Sequence, residues 1–270
     1  MSGRTWFRSA LCAGLAALTL GSAAACGDDS ATVQGAKLVR KGALTTCTHL
    51  PYPPFQSEQG GKVVGFDVDV IDLVAKKLGV TQKIVDTPFE TIKTGSALNA
   101  GKCDIAAAGM TIKPERARFI DFSEPYFTAT QALMGAKDGK KYTALADAEG
   151  DGLKVGTQAS TTGEEYARAQ KLDTVSFKDS TSLLNGLRTG RVQAVVEDYP
   201  VIQGWLKDPA NAKYGVLGDY DTGEKYGFAV RKGQNPGLLK ILNEVITAAR
   251  ADGTYKAIYE KWIGPMPAGE

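Results

Sequence analysis

Residues 44–108 contain five short segments that alternate between two hydrophobic patterns. In FDVDVIDLVAKKL (66–78), apolar residues recur on one helical face, and Gly79 follows at a position suited to a left-handed cap. The segments before and after it are short apolar strands and one further short helix. In chain order the five segments read LTTCT (44–48), FDVDVIDLVAKKL (66–78), QKIV (82–85), IKTGSALNA (92–100) and DIAAA (104–108). The order strand, helix, strand, helix, strand predicts a mostly parallel α/β sheet with right-handed crossovers.

The same pattern returns later in the chain. Its segments are LKVGT (153–157), TGEEYARA (162–169), TVSF (174–177), SLLNGLRT (182–189) and AVV (194–196). Two such units predict two lobes. The tail adds a strand at 227–230 and helices at 236–251 and 255–262. We expect it to return to the first lobe, because a parallel sheet needs cover on both faces.

The composition excludes several function classes. The net charge is +2, and no basic stripe with interleaved aromatic residues occurs, which disfavours a nucleic-acid partner. A single histidine and the lack of a Cys-x-x-Cys pair give almost no support for a metal site. No hydrolytic triad or phosphate loop can be assembled, so the sequence predicts neither an enzyme nor a cofactor.

The N-terminus has the features of an export signal. Two arginines precede an apolar run at 10–20, which is about half of the ~20 residues that a spanning helix needs. Small residues then lead to Cys26. This pattern predicts a signal peptide at 1–25 and a lipidated Cys26 that holds the protein at the outer face of the membrane, with an ordinary cleavage site as the alternative. Residues 26–36 are predicted to be a flexible tether.

Cys47 and Cys103 remain in the exported chain, where oxidising conditions permit a disulfide. The predicted register places Cys47 near the pocket end of one strand and Cys103 near the far end of its neighbour. This separation is unfavourable for a disulfide, but the sequence alone leaves the question of a Cys47–Cys103 bond open.

Ligands of open parallel sheets bind beyond the carboxyl ends of the strands. Arg116 follows such a strand and falls in the first turn of a helix that begins at Pro114, where a positive charge gains nothing from the helix dipole. A guanidinium at a pocket rim can hold a carboxylate through two parallel hydrogen bonds. The alternative is a surface arginine paired with Glu115 or Asp121.

The second lobe offers polar residues at the corresponding ends of its strands. Gln158 leads to Thr161 and Thr162, either of which can cap a helix whose exposed N–H groups would bind an anion; a plain capping box is the alternative. Glu197 and Asp198 follow an apolar run and could hold an ammonium group; a solvated acidic loop is the alternative.

Three further residues are candidates for the pocket walls. Tyr52 and Phe89 lie in or beside loops rather than on helical stripes, while Phe55 is expected in the core. His49 directly follows a strand, although a lone histidine is more often structural.

Taken together, these residues resemble the polar amino-acid solute-binding proteins of ABC importers, the family-3 group. The resemblance covers residues 38–264, in the right order. The matching motifs are THLPYPPF (48–55), GFDVD (65–69), ALNAGKCD (97–104), GMTIKPER (109–116), DFSEPY (121–126), VGTQ (155–158), STT (160–162), AVVED (194–198), YGFAV (226–230), DGT (252–254) and YEKW (259–262).

The resemblance implies a periplasmic-binding-protein type II clamp that closes on a free α-amino acid and presents it to permease subunits. Lobe 1 would comprise 37–126 and 226–270, and lobe 2 would comprise 131–222. Two hinge crossings would lie at 126–130 and 222–226. A monomer is expected.

The resemblance also implies roles for individual residues. Arg116 would bind the ligand α-carboxylate with Thr111 and a backbone N–H of Thr161 or Thr162. The α-ammonium would be held by Asp198 and the carbonyl of Gly109, and the ligand side chain would lie between Tyr52 and Phe89.

Ligand identity depends on His49 and Lys113, which depart from the family pattern, and on Glu197, which would lie beside the pocket. A glutamine-like ligand could bond to His49 and Glu197 and is favoured. A basic ligand requires Glu197 inward and Lys113 outward, and an acidic ligand requires Lys113 inward. The other functions compatible with this fold are a ligand sensor and a dehydratase-type enzyme.

Overall fold

The computed structural model describes residues 30–267. The predicted signal peptide at 1–25 and the predicted lipidation of Cys26 lie outside these residues. Within 30–267, no helix combines the length and the apolar character needed to cross a membrane.

The described chain alternates strands and helices throughout. The strands are β1 (Ala31–Val33), β2 (Ala36–Leu38), β3 (Ala43–Thr48), β4 (Ser57–Gln59), β5 (Lys62–Val64), β6 (Thr81–Asp86), β7 (Ile105–Ala106), β8 (Ile120–Phe122), β9 (Phe127–Ala136), β10 (Lys154–Gln158), β11 (Asp173–Phe177), β12 (Ala194–Asp198), β13 (Tyr214–Tyr226) and β14 (Ala229–Arg231). The helices are α1 (Phe66–Leu78), α2 (Phe89–Lys93), α3 (Ser96–Asn99), α4 (Pro114–Ala117), α5 (Thr162–Ala169), α6 (Ser180–Arg188), α7 (Tyr199–Leu206), α8 (Pro236–Ala251) and α9 (Thr254–Trp262). Two 3₁₀ helices cover Leu145–Asp151 and Pro209–Asn211.

Two five-stranded sheets confirm the predicted two-lobe α/β fold. The first has the order β6-β3-β7-β14-β8, and the second has the order β11-β10-β12-β9-β13. In each sheet the fourth strand, β14 or β9, is antiparallel to both neighbours, so the other four strands share one direction. The two lobes therefore have the same strand plan, as expected from the repeated sequence pattern.

The C-terminal segment returns to the first lobe, as predicted. Strand β14 lies between β7 and β8, and α8 packs with α1 and β2. Helices α1, α5 and α8 begin and end at the predicted residues. Gly79 has a φ of 71°, and its left-handed cap ends α1.

Two long strands carry the chain from one lobe to the other. β9 and β13 pair antiparallel, with Phe127 opposite Tyr226 and Ala129 opposite Glu224. The predicted hinge segments 126–130 and 222–226 fall at this pairing. Phe55, fully buried as predicted for a core residue, packs here at 5.0 Å from the Phe127 ring and 5.2 Å from the Tyr226 ring.

Three local expectations were wrong. Residues 31–36, assigned to the tether, contribute to the β1–β2 hairpin, whose Ala36 and Leu38 are buried. The single helix expected at 92–100 is two short helices, because the chain turns at Gly95 with a φ of 71° where a side chain would collide with Ile120. The strand expected at 104–108 is only the two-residue β7.

The start of β7 also decides the cysteine question. The ladder begins at Ile105, opposite Thr46, and the chain bends at Asp104, so Cys103 does not continue the line of the strand and the register argument for a large separation does not apply. The Cα atoms of Cys47 and Cys103 are 5.6 Å apart, and the two residues form a disulfide. They lie in a small buried cluster with Ile92 and Leu98.

Candidate functional site

A cavity lies between the two lobes at the carboxyl ends of their strands. The space between its walls, including open solvent at the mouth, is about 360 Å³. Ten of the eleven residues proposed from the sequence line it, and Glu197 is the exception. The lining residues are His49, Tyr52, Gln56, Phe89, Ala108, Gly109, Thr111, Arg116, Gln158, Thr161, Thr162 and Asp198. Gln56 and Ala108 were missed, although each lies next to a residue that the sequence had singled out.

Arg116 is the cationic group of the cavity. Pro114 begins α4, and the side chain of Arg116 is 5% exposed, with its Nη1 donating to the carbonyl oxygen of Thr111 at 2.9 Å. The guanidinium lies 5.5 Å from the centroid of the Phe89 ring. Burial lowers the pKa of Arg116, and nearby carboxylates oppose this effect. Within residues 30–267, no carboxylate forms an ion pair with it.

The alternative of a surface arginine is therefore wrong. Asp121 pairs with Lys232 at 2.8 Å, and Glu115 pairs with Lys113 at 2.7 Å. A buried cation with only a carbonyl and an aromatic ring as partners is costly unless a further anion joins it. Arg116 is thus suited to receive a carboxylate.

Gly109 lies where the backbone approaches an aromatic wall. It has a φ of 54°, and a Cβ there would come within 2.9 Å of the Tyr52 ring, so only glycine fits. Its N–H donates to Asp67 Oδ2 at 2.9 Å, and Tyr126 donates to the other oxygen of Asp67 at 2.7 Å. Burial raises the pKa of Asp67 to about 7.

Lobe 2 contributes the start of α5. Thr161 caps the helix: its Oγ1 accepts from the backbone N–H of Glu164 at 3.2 Å, and the Glu164 carboxylate accepts from the N–H of Ser160 at 2.8 Å. Thr161 is thus an N-cap, but the Glu164 carboxylate bonds to the N–H of Ser160 and not to that of Thr161, so the reciprocal capping box is incomplete, and Thr161 and Thr162 also line the cavity. The Oε1 of Gln158 is buried, with no hydrogen-bond partner in the described part of the chain.

Asp198 and Glu197 are the last two residues of β12 and are 5% and 3% exposed, so the solvated-loop alternative is wrong. The hydroxyl of Tyr52 donates to Asp198 Oδ2 at 2.6 Å and to Glu197 Oε1 at 2.9 Å. Asp198 also accepts from Tyr226 and Gln131. Burial, followed by the proximity of other carboxylates, raises the pKa of both acids.

Glu224 is a third buried carboxylate that sequence analysis missed. It lies on β13 and is 8% exposed. Its Oε2 accepts from Thr111 at 2.7 Å and from Thr162 at 2.8 Å, and its Oε1 accepts from Gln131 at 3.1 Å. The hinge segment around Glu224 contains few apolar residues. Its sequence pattern therefore does not show whether a charged side chain there is buried or faces solvent.

His49 and Lys113, the residues that bear on ligand identity, differ in placement. His49 lines the cavity, and both of its ring nitrogens are buried without a hydrogen-bond partner in residues 30–267. The Nζ of Lys113 bonds to Glu115 and Glu165 and is not part of the cavity lining.

The charges of the site come from both lobes. The buried guanidinium belongs to the segment after β7 in lobe 1, and the carboxylates of Glu197 and Asp198 end a strand of lobe 2. Such an arrangement complements a small molecule that carries both a carboxylate and an ammonium group.

Solved structures of this fold include amino-acid-binding proteins. An ancestral arginine-binding protein bound to glutamine is 39% identical and superposes with a TM-score of 0.77, covering 83% of this chain and 99% of its own. The ancestral amino acid-binding protein AncCDT-1, a precursor of cyclohexadienyl dehydratase, is 35% identical with a TM-score of 0.73, covering 82% of this chain and 95% of its own. The putative ABC transporter arginine-binding protein 2 of Escherichia coli strain K12 is 32% identical over 224 residues, which are 80% of this chain and 88% of that protein.

The chain belongs to the bacterial extracellular solute-binding proteins, family 3, whose sequence profile matches residues 44–265. The match includes both lobes and both strands that join them. The resemblance found in the sequence is thus confirmed.

Proposed function

We propose that this protein is the extracytoplasmic binding component of an ABC importer and that it captures a free polar α-amino acid. The observation that carries the proposal is the placement of Arg116 and Asp198 in one cavity, each on a different lobe. In this proposal Arg116 and Thr111 hold the α-carboxylate, while Asp198 and the Gly109 carbonyl hold the α-ammonium. Relatives of this chain named as arginine- and glutamine-binding proteins support the ligand class.

The lining residues favour a neutral or basic side chain over an acidic one. The acidic alternative required Lys113 to face inward, but its ammonium group is engaged by Glu115 and Glu165 outside the cavity. The ring nitrogens of His49 and the Oε1 of Gln158, which have no hydrogen-bond partner within residues 30–267, are available to bond to a glutamine-like side chain. A basic side chain would need Glu197 to face inward; its Oε2 has no hydrogen-bond partner in residues 30–267, but Glu197 does not line the cavity.

Closure in this proposal bends the β9 and β13 strands near 126–130 and 222–226. A ligand that contacts both lobes stabilises the closed arrangement, whereas a ligand on one lobe alone would not shift the equilibrium. Lipidation at Cys26 would keep the binding protein at the outer face of the membrane near its permease.

The proposal is tested by thermal unfolding in the presence of each of the twenty amino acids. A ligand that binds only the folded protein raises the melting temperature, and at a hundredfold excess over its Kd the stabilisation is about 2.7 kcal/mol. We expect one or a few polar amino acids to stabilise the protein. If none of the twenty changes the melting temperature, the proposed function is wrong.

One observation favours a second candidate, an enzyme on the same clamp. Glu197 is buried with a raised pKa, as a general acid would be, and one structural relative is described as a precursor of a dehydratase. That relative is itself an amino-acid-binding protein, and we expect no activity here. Formation of product from prephenate or arogenate would establish the enzyme instead.

A further inference from the structure

Glu224 contacts two residues of the ligand site, Thr111 and Thr162, without lining the cavity itself. It does not line the cavity between the lobes but lies in an adjoining open groove, which also contains Thr111, Thr162 and Lys113. Thr111 and Thr162 line both spaces, and their hydroxyl oxygens, one from each lobe, are 3.5 Å apart. Both hydroxyls bond to the carboxylate of Glu224, and a molecule in the cavity would lie against the same two residues.

The hydrogen atoms of these hydroxyls are limited in number. A threonine hydroxyl has one hydrogen to donate, and an ionised carboxylate can only accept. Thr111 and Thr162 both donate to Glu224 Oε2, at 2.7 and 2.8 Å. With their hydrogens directed at Glu224, the two hydroxyls can offer only lone pairs to the cavity.

A ligand carboxylate is also an acceptor and needs those hydrogens. Under the proposed function Thr111 binds the ligand α-carboxylate, and to do so it must withdraw its hydrogen from Glu224. The charge of Glu224 acts in the same direction, because it repels an anion placed at Arg116. Burial lowers the pKa of Arg116, and the negative charges of Glu165 and Glu224 counteract this more than those of the other carboxylates do. Both carboxylates therefore lie within electrostatic reach of the guanidinium.

We propose that Glu224 is an affinity-setting residue: it competes, as an internal carboxylate, with the ligand carboxylate for the hydroxyls of Thr111 and Thr162. This inference rests on the proposed function. It makes the protein bind its ligand less tightly than the other contacts alone would permit, which favours release to a partner.

The test compares Glu224→Gln with the wild-type protein by titration calorimetry. The amide can donate its own N–H to the threonine oxygens, which leaves the hydroxyl hydrogens free for the ligand. The probes are L-arginine and L-glutamine, each with its α-carboxamide, which lacks the carboxylate. We expect Glu224→Gln to bind the amino acids about tenfold more tightly and the carboxamides with unchanged affinity, since a charge-assisted hydrogen bond is worth about one power of ten.

Glu165→Gln is the matched control. It removes one negative charge near Arg116 and one cross-lobe contact with Lys113 but leaves the hydroxyls of Thr111 and Thr162 bonded to Glu224. We expect it to bind all four probes within about twofold of wild type, because an exposed ion pair contributes little. An equal gain in amino-acid affinity in Glu224→Gln and Glu165→Gln would show that the effect comes from removing any negative charge near Arg116. That result would overturn the inference. Should Glu224→Gln fail to fold, Glu224→Ala removes the same acceptor and carries the same expectation.

Weaker or unchanged binding of the amino acids by Glu224→Gln, with normal binding by wild type, would overturn the inference and leave the proposed function intact. If neither amino acid binds either protein, the inference falls together with the assumed ligand class.

Discussion

The hydroxyl of Tyr52 in lobe 1 donates to the carboxylate of Asp198 in lobe 2 across the cleft, at 2.6 Å. The same hydroxyl contacts Glu197 Oε1 at 2.9 Å, so one hydrogen is shared between two buried acids. Glu197 also accepts the backbone N–H of Asp198 at 2.9 Å, which fixes the two carboxylates side by side. The lobes are thus held together by a bond between an aromatic wall of the cavity and the group proposed to bind the ligand ammonium.

Tyr52→Phe keeps the ring and removes this shared donor. The hydrogen bond from Tyr52 lowers the pKa of both acids, against the larger effect of burial, so its loss raises each pKa further. A carboxyl group with a raised pKa in the folded protein loses its stabilising contribution as pH increases. We therefore expect the variant to lose about 1–3 kcal/mol of unfolding free energy at pH 8.5 and less at pH 5.5, measured by urea denaturation.

Tyr199→Phe is the control for that measurement, because Tyr199 is adjacent in sequence to Asp198, at the start of α7, and does not line the cavity. If Tyr52→Phe lowers the unfolding free energy by the same amount at pH 8.5 and pH 5.5, the hydroxyl does not bond to ionised carboxylates.

Arg116→Met separates ligand binding from stability. The substitution removes the buried charge but keeps most of the side-chain volume over Phe89. Because Arg116 has no carboxylate partner in residues 30–267, we expect the unfolding free energy to be unchanged or higher. Binding of the amino acid should weaken by about 2–5 kcal/mol in calorimetry, the range found when one member of a buried charge pair is removed.

Arg118→Met, two residues further on and exposed, should change neither quantity. A strong loss of stability in Arg116→Met, with ligand affinity retained, would mean that the guanidinium is a structural group.

Asp67→Asn tests the carboxylate that holds Gly109 and Tyr126. Burial raises the pKa of Asp67 from 3.8 to about 7. Between these two pH values the folded protein keeps a proton on Asp67 that the unfolded chain has already lost. The contribution of Asp67 to stability is fully present below pH ~4 and is lost as pH rises to about 7. At ~1.4 kcal/mol per pKa unit, the gap corresponds to roughly 4 kcal/mol.

We therefore expect the unfolding free energy of the wild type, minus that of Asp67→Asn, to fall between pH 4 and pH 8 in denaturant titrations. Asp72→Asn, on the exposed face of the same helix, should show no such trend. A difference that increases with pH would contradict the assigned burial effect.

The disulfide gives a prediction from loop length alone. Cys47 and Cys103 are separated by 56 residues, and closing a loop of this size stabilises the folded state by about 4 kcal/mol in the chain-entropy model. Cys47→Ala/Cys103→Ala should lower the unfolding free energy by an amount of this order. Equal stability of the wild-type protein and the double variant, with Cys47 and Cys103 found as free thiols in the wild type by mass spectrometry, would show that the bridge does not form.

Much of the fold follows from local pattern. The apolar face of residues 66–78 and the cap at Gly79 predicted α1 to the residue, because a helix of this length is specified by its own periodicity and its own stop signal. Strand β7 did not follow, since the run at 105–108 is apolar throughout and has no feature that ends the ladder after Ala106. The cysteine pairing was left open, because nothing in the sequence shows that the chain bends at Asp104 and brings the Cα atom of Cys103 to 5.6 Å from that of Cys47.

The candidate site divides in a similar way. Arg116 and Asp198 became candidates because each was predicted to follow a strand, and strand ends are visible in the sequence, but their roles came from the family resemblance. Their burial and partners were not visible, because these depend on contacts between distant segments. Glu224 was missed for this reason: its donors lie at positions 111, 131 and 162, and only the meeting of the two lobes brings them together.

The central claim is that the cavity holds both charged ends of one amino acid. Isothermal titration of the wild-type protein with the amino acid that stabilises it most, then with its α-carboxamide and its N-acetyl derivative, tests this directly. We predict measurable binding of the free amino acid and at least a hundredfold loss with either derivative, since each leaves a buried group, Arg116 or Asp198, without its partner. Undiminished binding of both derivatives would contradict the account.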